Sequence, residues 1–221
     1  MKPALRFSFL LSQLVTLTLL IFISARIIIP HFSTPSIKAD SALNVFFKDI
    51  ENEKIRKNFL NVLNSYKTLH PYKITLTKRL LESTTMQAQP EFSLNSLFGG
   101  ARTYEIKLSQ YVRHSNKITV ADLPEDVLTG WFAHELGHLV DYENYNGMEM
   151  LWYGTKYLLF EKFKKSAEHR ADWVAINTGF VNEIIAAKQY ILESEYLDEK
   201  YKNQINKYYL PIEDIKAYLK K

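Results

Sequence analysis

Cysteine is absent from the 221 residues, so the chain can form neither disulfides nor thiolate metal sites. Over most of the chain there is also no strong excess of basic or acidic residues. The formal net charge is +4, but three basic residues fall within residues 1–30, where no acidic residue occurs. The remainder is close to neutral, and the high isoelectric point therefore does not indicate a nucleic-acid partner.

The acid-free segment contains a long apolar run, because residues 7–25 are almost wholly apolar or hydroxylic. As a helix, this run would span about 28 Å, which is close to the roughly 30 Å thickness of a bilayer core. Lys2 and Arg6 precede the run and favour a cytoplasmic N-terminus. We therefore predict a single-pass membrane protein whose main domain lies outside the cytoplasm, in the periplasm or the extracellular space.

The same segment has a second interpretation as a cleaved signal peptide, which would make the protein secreted. Ile23-Ser24-Ala25 is a poor cleavage site, however, and the apolar run continues as Ile27-Ile28-Ile29. We favour the uncleaved anchor. The predicted organisation is then a membrane segment at 1–30, a linker at 31–40 and one domain at 41–221, a length typical of a single compact unit.

The most informative motif in the chain is His134-Glu135-Leu136-Gly137-His138. Residues four apart lie one above the other on a helix, so His134 and His138 can reach the same metal ion. Glu135 lies about 100° further round the helix, where its carboxylate can take a proton from metal-bound water. This is the arrangement that a zinc peptidase needs. The alternative is a buried helix that happens to carry two histidines.

A catalytic zinc ion needs a third protein ligand. A third histidine six residues after His138 is excluded, because Asn144 occupies that position. Further along, Glu168 and Asp172 are four residues apart and share one face of a predicted helix. We predict that Glu168 binds the metal and that Asp172 accepts a hydrogen bond from a ligating histidine. The alternative for Asp172 is a surface carboxylate that pairs with Arg170 or a nearby lysine.

Together, His134-Glu135-Leu136-Gly137-His138 and Glu168-His169-Arg170-Ala171-Asp172 resemble the paired motifs of the gluzincin zinc metallopeptidases. The second motif is most similar to that of the branch containing the CAAX prenyl proteases and the HtpX-like proteases. Asn95-Ser96-Leu97-Phe98-Gly99-Gly100 is similar to the segment that leads the substrate-side strand in that branch. The resemblance covers about residues 95–178 and implies a peptide-bond hydrolase with one zinc ion. The topology departs from that branch, in which several membrane helices surround the zinc helix.

The remaining pattern predicts an α+β domain that is mostly helical, with a small antiparallel sheet packed on the zinc-binding helix and on a second, ligand-bearing helix. Alternating residues predict strands at 73–78, 104–108 and 118–120, and residues 82–100 are predicted to be a loop. Helical spacing of apolar residues predicts one bent helix or two at 41–66.

Helix boundaries are also predicted from the sequence. Asp122 is expected to cap the zinc helix, with Glu125 three residues later completing a capping box. Residues 148–178 are expected to be largely helical, with a break near Ser166 and a stop at Gly179. Three shorter helices should follow.

These predictions describe a membrane-anchored zinc endopeptidase that hydrolyses polypeptides with Glu135 as its general base. An extended substrate would add to the open edge of the small sheet. The resemblance also implies a residue that stabilises the oxyanion, and the sequence does not choose among the downstream tyrosines, namely Tyr190, Tyr196, Tyr201, Tyr208 and Tyr209. The alternative is a non-catalytic envelope protein that uses its zinc site for structure or partner binding. Glu135 argues against it, because a structural site has no use for a base beside an open coordination position.

Overall fold

The computed structural model describes residues 37–40, 43–81, 84–92, 102–113, 115 and 117–220. The predicted membrane segment at 1–30 and the segment at 95–100 lie outside these residues. Within the described part of the chain, no helix is both long enough and apolar enough to cross a bilayer.

The described residues include five strands, which form one mixed sheet. They are β1 (Ile37–Asp40), β2 (Val45–Lys48), β3 (Lys73–Lys78), β4 (Met86–Pro90) and β5 (Thr103–Leu108). Their order across the sheet is β1-β2-β3-β5-β4. The three central strands are parallel to one another, and the two edge strands, β1 and β4, are each antiparallel to their neighbours.

Helices make up most of the described residues. They are α1 (Glu53–Ser65), α2 (Glu125–Tyr142), α3 (Gly147–Leu159), α4 (Glu161–Asn177), α5 (Val181–Glu193), α6 (Glu199–Tyr208) and α7 (Ile212–Tyr218). The long helix α2 carries both motif histidines and contacts α1, α4, α5 and the edge strand β4. The mostly helical α+β fold predicted from the sequence is therefore confirmed.

The prediction of an antiparallel sheet is wrong. Helix α1 follows β2 and returns the chain to the same end of the sheet before β3 begins, and such a crossover makes the two strands parallel. Strand β5 then inserts between β3 and β4. The predicted strand at 118–120 does not form. Thr119 makes only a single bridge to Tyr111, and a short 3-10 helix follows at Val120–Asp122.

Three strands were not predicted, and the first of them, β1, occupies the end of the predicted linker at 31–40. Strand β2 lies in the region predicted as helix, where Asn44 and Asp49 flank it with positive φ angles of 49° and 58° that no α-helix accommodates. Strand β4 lies in the predicted loop and has a polar sequence with a proline at its end. All three strands depend on hydrogen bonds to a neighbouring strand, which local propensity does not report.

The predicted helix boundaries need two corrections. Asp122 does not cap α2; its backbone N–H instead donates to the Thr119 hydroxyl, and Pro124 is the residue that precedes the helix, without a side-chain cap. The expected break near Ser166 occurs instead at Phe160, whose backbone is extended between α3 and α4. Gly179 ends the helical stretch as predicted, with a φ of +108°.

A column of aromatic rings joins the sheet to the helices. Phe47 on β2 contacts Phe59 on α1 edge-to-face at 6.1 Å, and Phe59 contacts Phe132 on α2 at 5.2 Å. Phe59 and Phe132 are completely buried. This core fixes α2 against the sheet just before its first histidine.

Two glycines set the distances between α2 and its neighbouring helices. A Cβ atom at Gly137 would lie 2.4 Å from the carbonyl oxygen of Ala171 on α4, and one at Gly130 would lie 2.1 Å from the carbonyl oxygen of Glu183 on α5. Because no side chain separates these backbones, α2 touches both helices directly at the level of the two motifs.

Substitution of Gly137 by alanine should therefore cost both stability and metal affinity. The intrinsic helix propensity of alanine favours the change by about 1 kcal/mol. The steric conflict with Ala171 should outweigh this gain, since overpacking costs typically about 1–3 kcal/mol. Denaturant unfolding would measure the net loss of stability.

Gly179→Ala provides the matched control. Its φ is positive, so alanine should be destabilising by about 1–3 kcal/mol, but no atom lies within 4 Å of the added Cβ. Both variants should lose stability, whereas only Gly137→Ala should weaken metal binding. Equal metal affinity in the two variants would contradict the role given to the contact between α2 and α4.

Candidate metal centre

Two helices supply four side chains to one buried cluster. His134 and His138 are one turn apart on α2, and Glu168 and Asp172 are one turn apart on α4. The contact between Gly137 and Ala171 brings these two faces together. All four residues are buried, with exposed fractions between 1 and 8%.

Three of these side chains could hold a metal ion. Ligand atoms of His134, His138 and Glu168 all lie within 4.8 Å of one another. The Glu168 Oε2 atom lies 3.0 Å from His134 Nε2 and 3.4 Å from His138 Nε2. Ligand atoms that share one metal ion in a tetrahedral site lie roughly 3.3 Å apart, and these two separations are of that size.

The predicted role of Asp172 agrees with its position. Its Oδ1 lies 2.9 Å from His134 Nδ1, on the side of the ring opposite Nε2. A carboxylate in this position makes Nδ1 carry the proton and leaves the Nε2 lone pair to face a metal. Of the alternative partners, Asp172 does pair with a lysine, Lys188, at 2.7 Å. It does not pair with Arg170, which instead binds Asp141 through two hydrogen bonds of 2.8 and 2.9 Å.

Glu135 is not one of the three residues that could hold the ion, and its carboxylate reaches the edge of the sheet. Its Oε2 accepts a hydrogen bond of 2.7 Å from the backbone N–H of Ala88 on β4. The Tyr142 hydroxyl donates to the carbonyl oxygen of the same residue at 3.3 Å. Both backbone groups of Ala88 therefore face α2 and not β5, and the candidate base lies directly beside the sheet edge.

Two tyrosines adjoin the cluster. The Tyr157 hydroxyl on α3 donates a hydrogen bond to Glu168 Oε1, which leaves Oε2 for the histidines. The ring of Tyr209, between α6 and α7, lies 5.2 Å from the ring of His134. Of the five tyrosines considered from the sequence, Tyr209 and Tyr201 line the same cleft as His134 and Glu135.

This cleft lies directly beside the cluster, because His134, Glu135 and Asp172 all line it. Its walls are mainly apolar and come from the edge strand and from α2, α5 and α6. The apolar lining residues are Met86, Trp131, Ile184, Ala187, Ile191 and Ile205. The polar groups at its base include Asp172 and Lys188. The site therefore joins a polar centre to a mainly apolar cleft.

Burial and neighbouring charges act in opposite directions on the titratable groups. Burial raises the pKa of Glu135, and the nearby histidines only partly offset this effect. Burial also opposes ionisation of Glu168, but the charge of His138 and the hydrogen bond with His134 hold its pKa well below the usual range. For Asp172, the Lys188 ammonium and His134 outweigh burial and lower the pKa. The cluster thus favours ionised carboxylates at Glu168 and Asp172 and a more basic Glu135.

Sequence reasoning missed several residues that complete the cluster. They are Ala88, Asp141, Tyr157 and Lys188. Each of them meets its partner from a different helix or strand, or at a sequence spacing that neither motif includes. No local sequence pattern therefore identifies these residues. An isolated lysine in an amphipathic helix such as α5 is ordinarily assigned to the solvent-facing side, yet Lys188 is only 5% exposed. His169, next to Glu168, does not belong to the group of three residues that could hold the ion.

No protein-family model, curated protein or solved structure matches this chain.

Removal of the Glu168 carboxylate should sharply reduce metal affinity. Glu168→Ala deletes one of three ligands, so the loss should exceed the roughly 10–100-fold that follows removal of an outer hydrogen-bond partner. Glu161→Ala is the matched control, because Glu161 lies on the same helix and its side chain is exposed. Competition with a chromogenic chelator measures both affinities. If Glu168→Ala retained the affinity of the unmodified protein, Glu168 would not be a ligand.

Proposed function

We propose that the chain is a zinc-dependent endopeptidase of the gluzincin type, with His134, His138 and Glu168 as ligands and Glu135 as general base. The observation that carries the proposal is the placement of Glu135. Its carboxylate lies outside the ligand group and is bonded to the sheet edge at Ala88. A metal site with a separate, basic carboxylate beside it is organised for hydrolysis and not for structural metal binding.

The donor set supports zinc as the metal. Two imidazoles and one carboxylate are a ligand combination found in catalytic zinc sites, where a fourth position remains for water or substrate. Zinc bound by these residues would supply a water of lowered pKa and would polarise the scissile carbonyl.

Glu135 is placed to accept a proton from the attacking water and to pass it to the leaving amine. Burial raises the pKa of its carboxyl group, which makes the carboxylate a stronger base. The hydrogen bond from Ala88 holds this carboxylate next to the strand along which a substrate would lie. Proton transfer and substrate binding would therefore involve neighbouring atoms.

Tyr209 is the best-placed donor for the oxyanion among the tyrosines considered. Its ring adjoins His134, and it lines the cleft together with Glu135. Burial raises the pKa of its hydroxyl well above the usual value, so the hydroxyl stays protonated and can donate a hydrogen bond. Such a donor stabilises the negative charge that develops on the scissile carbonyl oxygen.

The open edge of β4 is the proposed binding surface for an extended polypeptide. Ala88 turns both its backbone groups away from β5, and these groups are bonded to Glu135 and Tyr142. A substrate strand would replace these two bonds with backbone hydrogen bonds of its own. Its side chain next to the scissile bond would enter the apolar cleft.

Glu135→Gln should retain zinc and lose most peptide cleavage, because the substitution removes the base and leaves all three ligands in place. General-base catalysis contributes typically about 10²–10⁴-fold, which sets the expected loss. Zinc content per chain and cleavage of a peptide library measure the two effects. Glu125→Gln is the control, since Glu125 lies on the exposed first turn of the same helix. Undiminished cleavage by Glu135→Gln would refute the assigned role.

We also propose that the chain is anchored through residues 7–25 with its catalytic domain outside the cytoplasm, on the basis of the apolar run and of Lys2 and Arg6 before it. A reporter that is active only outside the cytoplasm, fused after Lys221, should be active. A second fusion with a reporter that requires the cytoplasm should be inactive. The reverse pattern would overturn the orientation.

A further inference from the structure

We infer that Lys188 is a positioning residue that couples the metal ligand His134 to the chain segment carrying Tyr209. This inference rests on the proposed metal centre. It concerns a residue that belongs to neither sequence motif and that contacts no metal ligand in the three-residue group. The contacts of Lys188 with Asp172 and with Leu210 carry the argument.

Asp172 uses both of its oxygen atoms. Oδ1 faces His134 Nδ1 at 2.9 Å, and Oδ2 accepts from Lys188 Nζ at 2.7 Å and from the Leu210 backbone N–H at 3.0 Å. Lys188 Nζ also donates to the Leu210 carbonyl oxygen at 2.9 Å. The Lys188 ammonium and the Asp172 carboxylate thus bind the carbonyl oxygen and the N–H of the same residue, Leu210.

The network links four separate parts of the fold. His134 lies on α2, Asp172 on α4, Lys188 on α5, and Leu210 in the connection between α6 and α7. The backbone contact of α5 with Gly130, one turn before His134, sets the depth at which α5 packs on α2. Lys188 therefore reaches Asp172 from a helix whose position relative to α2 is already determined.

The burial of this network requires an opposing charge. Asp172 is 1% exposed and Lys188 is 5% exposed. A buried carboxylate is costly unless a partner offsets its charge and occupies its oxygen atoms. Lys188 supplies the charge while occupying Oδ2, so Oδ1 remains directed at the histidine.

The second effect of Lys188 concerns Tyr209, which directly precedes Leu210. Because Lys188 and Asp172 together bind both backbone groups of Leu210, they fix the connection from which the Tyr209 ring reaches His134. The Lys188 ammonium also lies 5.1 Å from the centre of this ring. One lysine would therefore orient a metal ligand and the proposed oxyanion donor at the same time.

The experiment measures zinc affinity of the full-length protein in detergent for Lys188→Met, Asp172→Asn and the double variant. Each single change should weaken zinc binding about 10–100-fold, as expected for loss of an outer partner. If Lys188 acts through Asp172, the double variant should bind zinc as weakly as Asp172→Asn alone. Additive losses, or unchanged affinity in Lys188→Met, would overturn the inference.

Chemical rescue separates positioning from a merely structural contribution. Lys188 lines the open cleft, so Lys188→Ala should leave space for a small amine. Ethylamine or propylamine should raise the zinc affinity of Lys188→Ala at least about tenfold. Propanol, which carries no charge, should not raise it. If Lys188→Met or Lys188→Ala fails to match the far-UV circular dichroism of the unmodified protein, Lys188→Gln is measured in its place. Lys200→Met, at an exposed position on α6, is the control and should bind zinc normally.

The same measurements distinguish this inference from the proposed function. A protein that binds one zinc ion tightly but cleaves no peptide would refute the peptidase proposal, and the zinc affinities of the variants would still decide the role of Lys188. A protein that binds no zinc would overturn both. Tyr209→Phe should leave zinc affinity unchanged while lowering kcat, because Tyr209 adjoins the centre without ligating it.

Discussion

The site depends on the direct backbone contact between α2 and α4. Gly137 lies one residue before His138, and Ala171 lies one residue before Asp172. When two helices meet at this level without an intervening side chain, residues one turn apart on each helix converge on the same volume. The positions of the candidate ligand atoms then follow from the packing of the two backbones. Histidine and glutamate side chains are long enough to meet across this contact.

A convergence of this kind concentrates charge in the interior. Two carboxylates, a lysine and two histidines occupy a space in which the exposed fraction of each side chain is about 10% or less. Separate ion pairs between the helices neutralise part of this charge. Asp172 is matched by Lys188, and Asp141, near the C-terminal end of α2, is matched by Arg170 and the Tyr153 hydroxyl. A buried carboxylate is tolerable only with such partners, which is why so many polar residues surround a short motif.

The sequence predicted the parts of the site that lie within one helix. His134 and His138, like Glu168 and Asp172, are related by a single helical turn, and helical geometry alone places each pair on one face. Lys188, Tyr157 and Ala88 could not be identified in this way, because each meets the cluster through tertiary packing. The fold shows the same division: long helices were predicted, whereas β2 and β4 required knowledge of the strands with which they pair.

Strand β4 has a further consequence for how the protein behaves among other copies of itself. An exposed sheet edge with free backbone groups invites intermolecular strand pairing and aggregation. Here Ala88 already satisfies its N–H and carbonyl with Glu135 and Tyr142, and Pro90 at the end of the strand has no N–H to offer. The edge therefore presents no uninterrupted row of free groups to a second sheet. A strand from a second copy would have to displace the bonds to Glu135 and Tyr142, as a bound polypeptide would, before it could pair with Ala88.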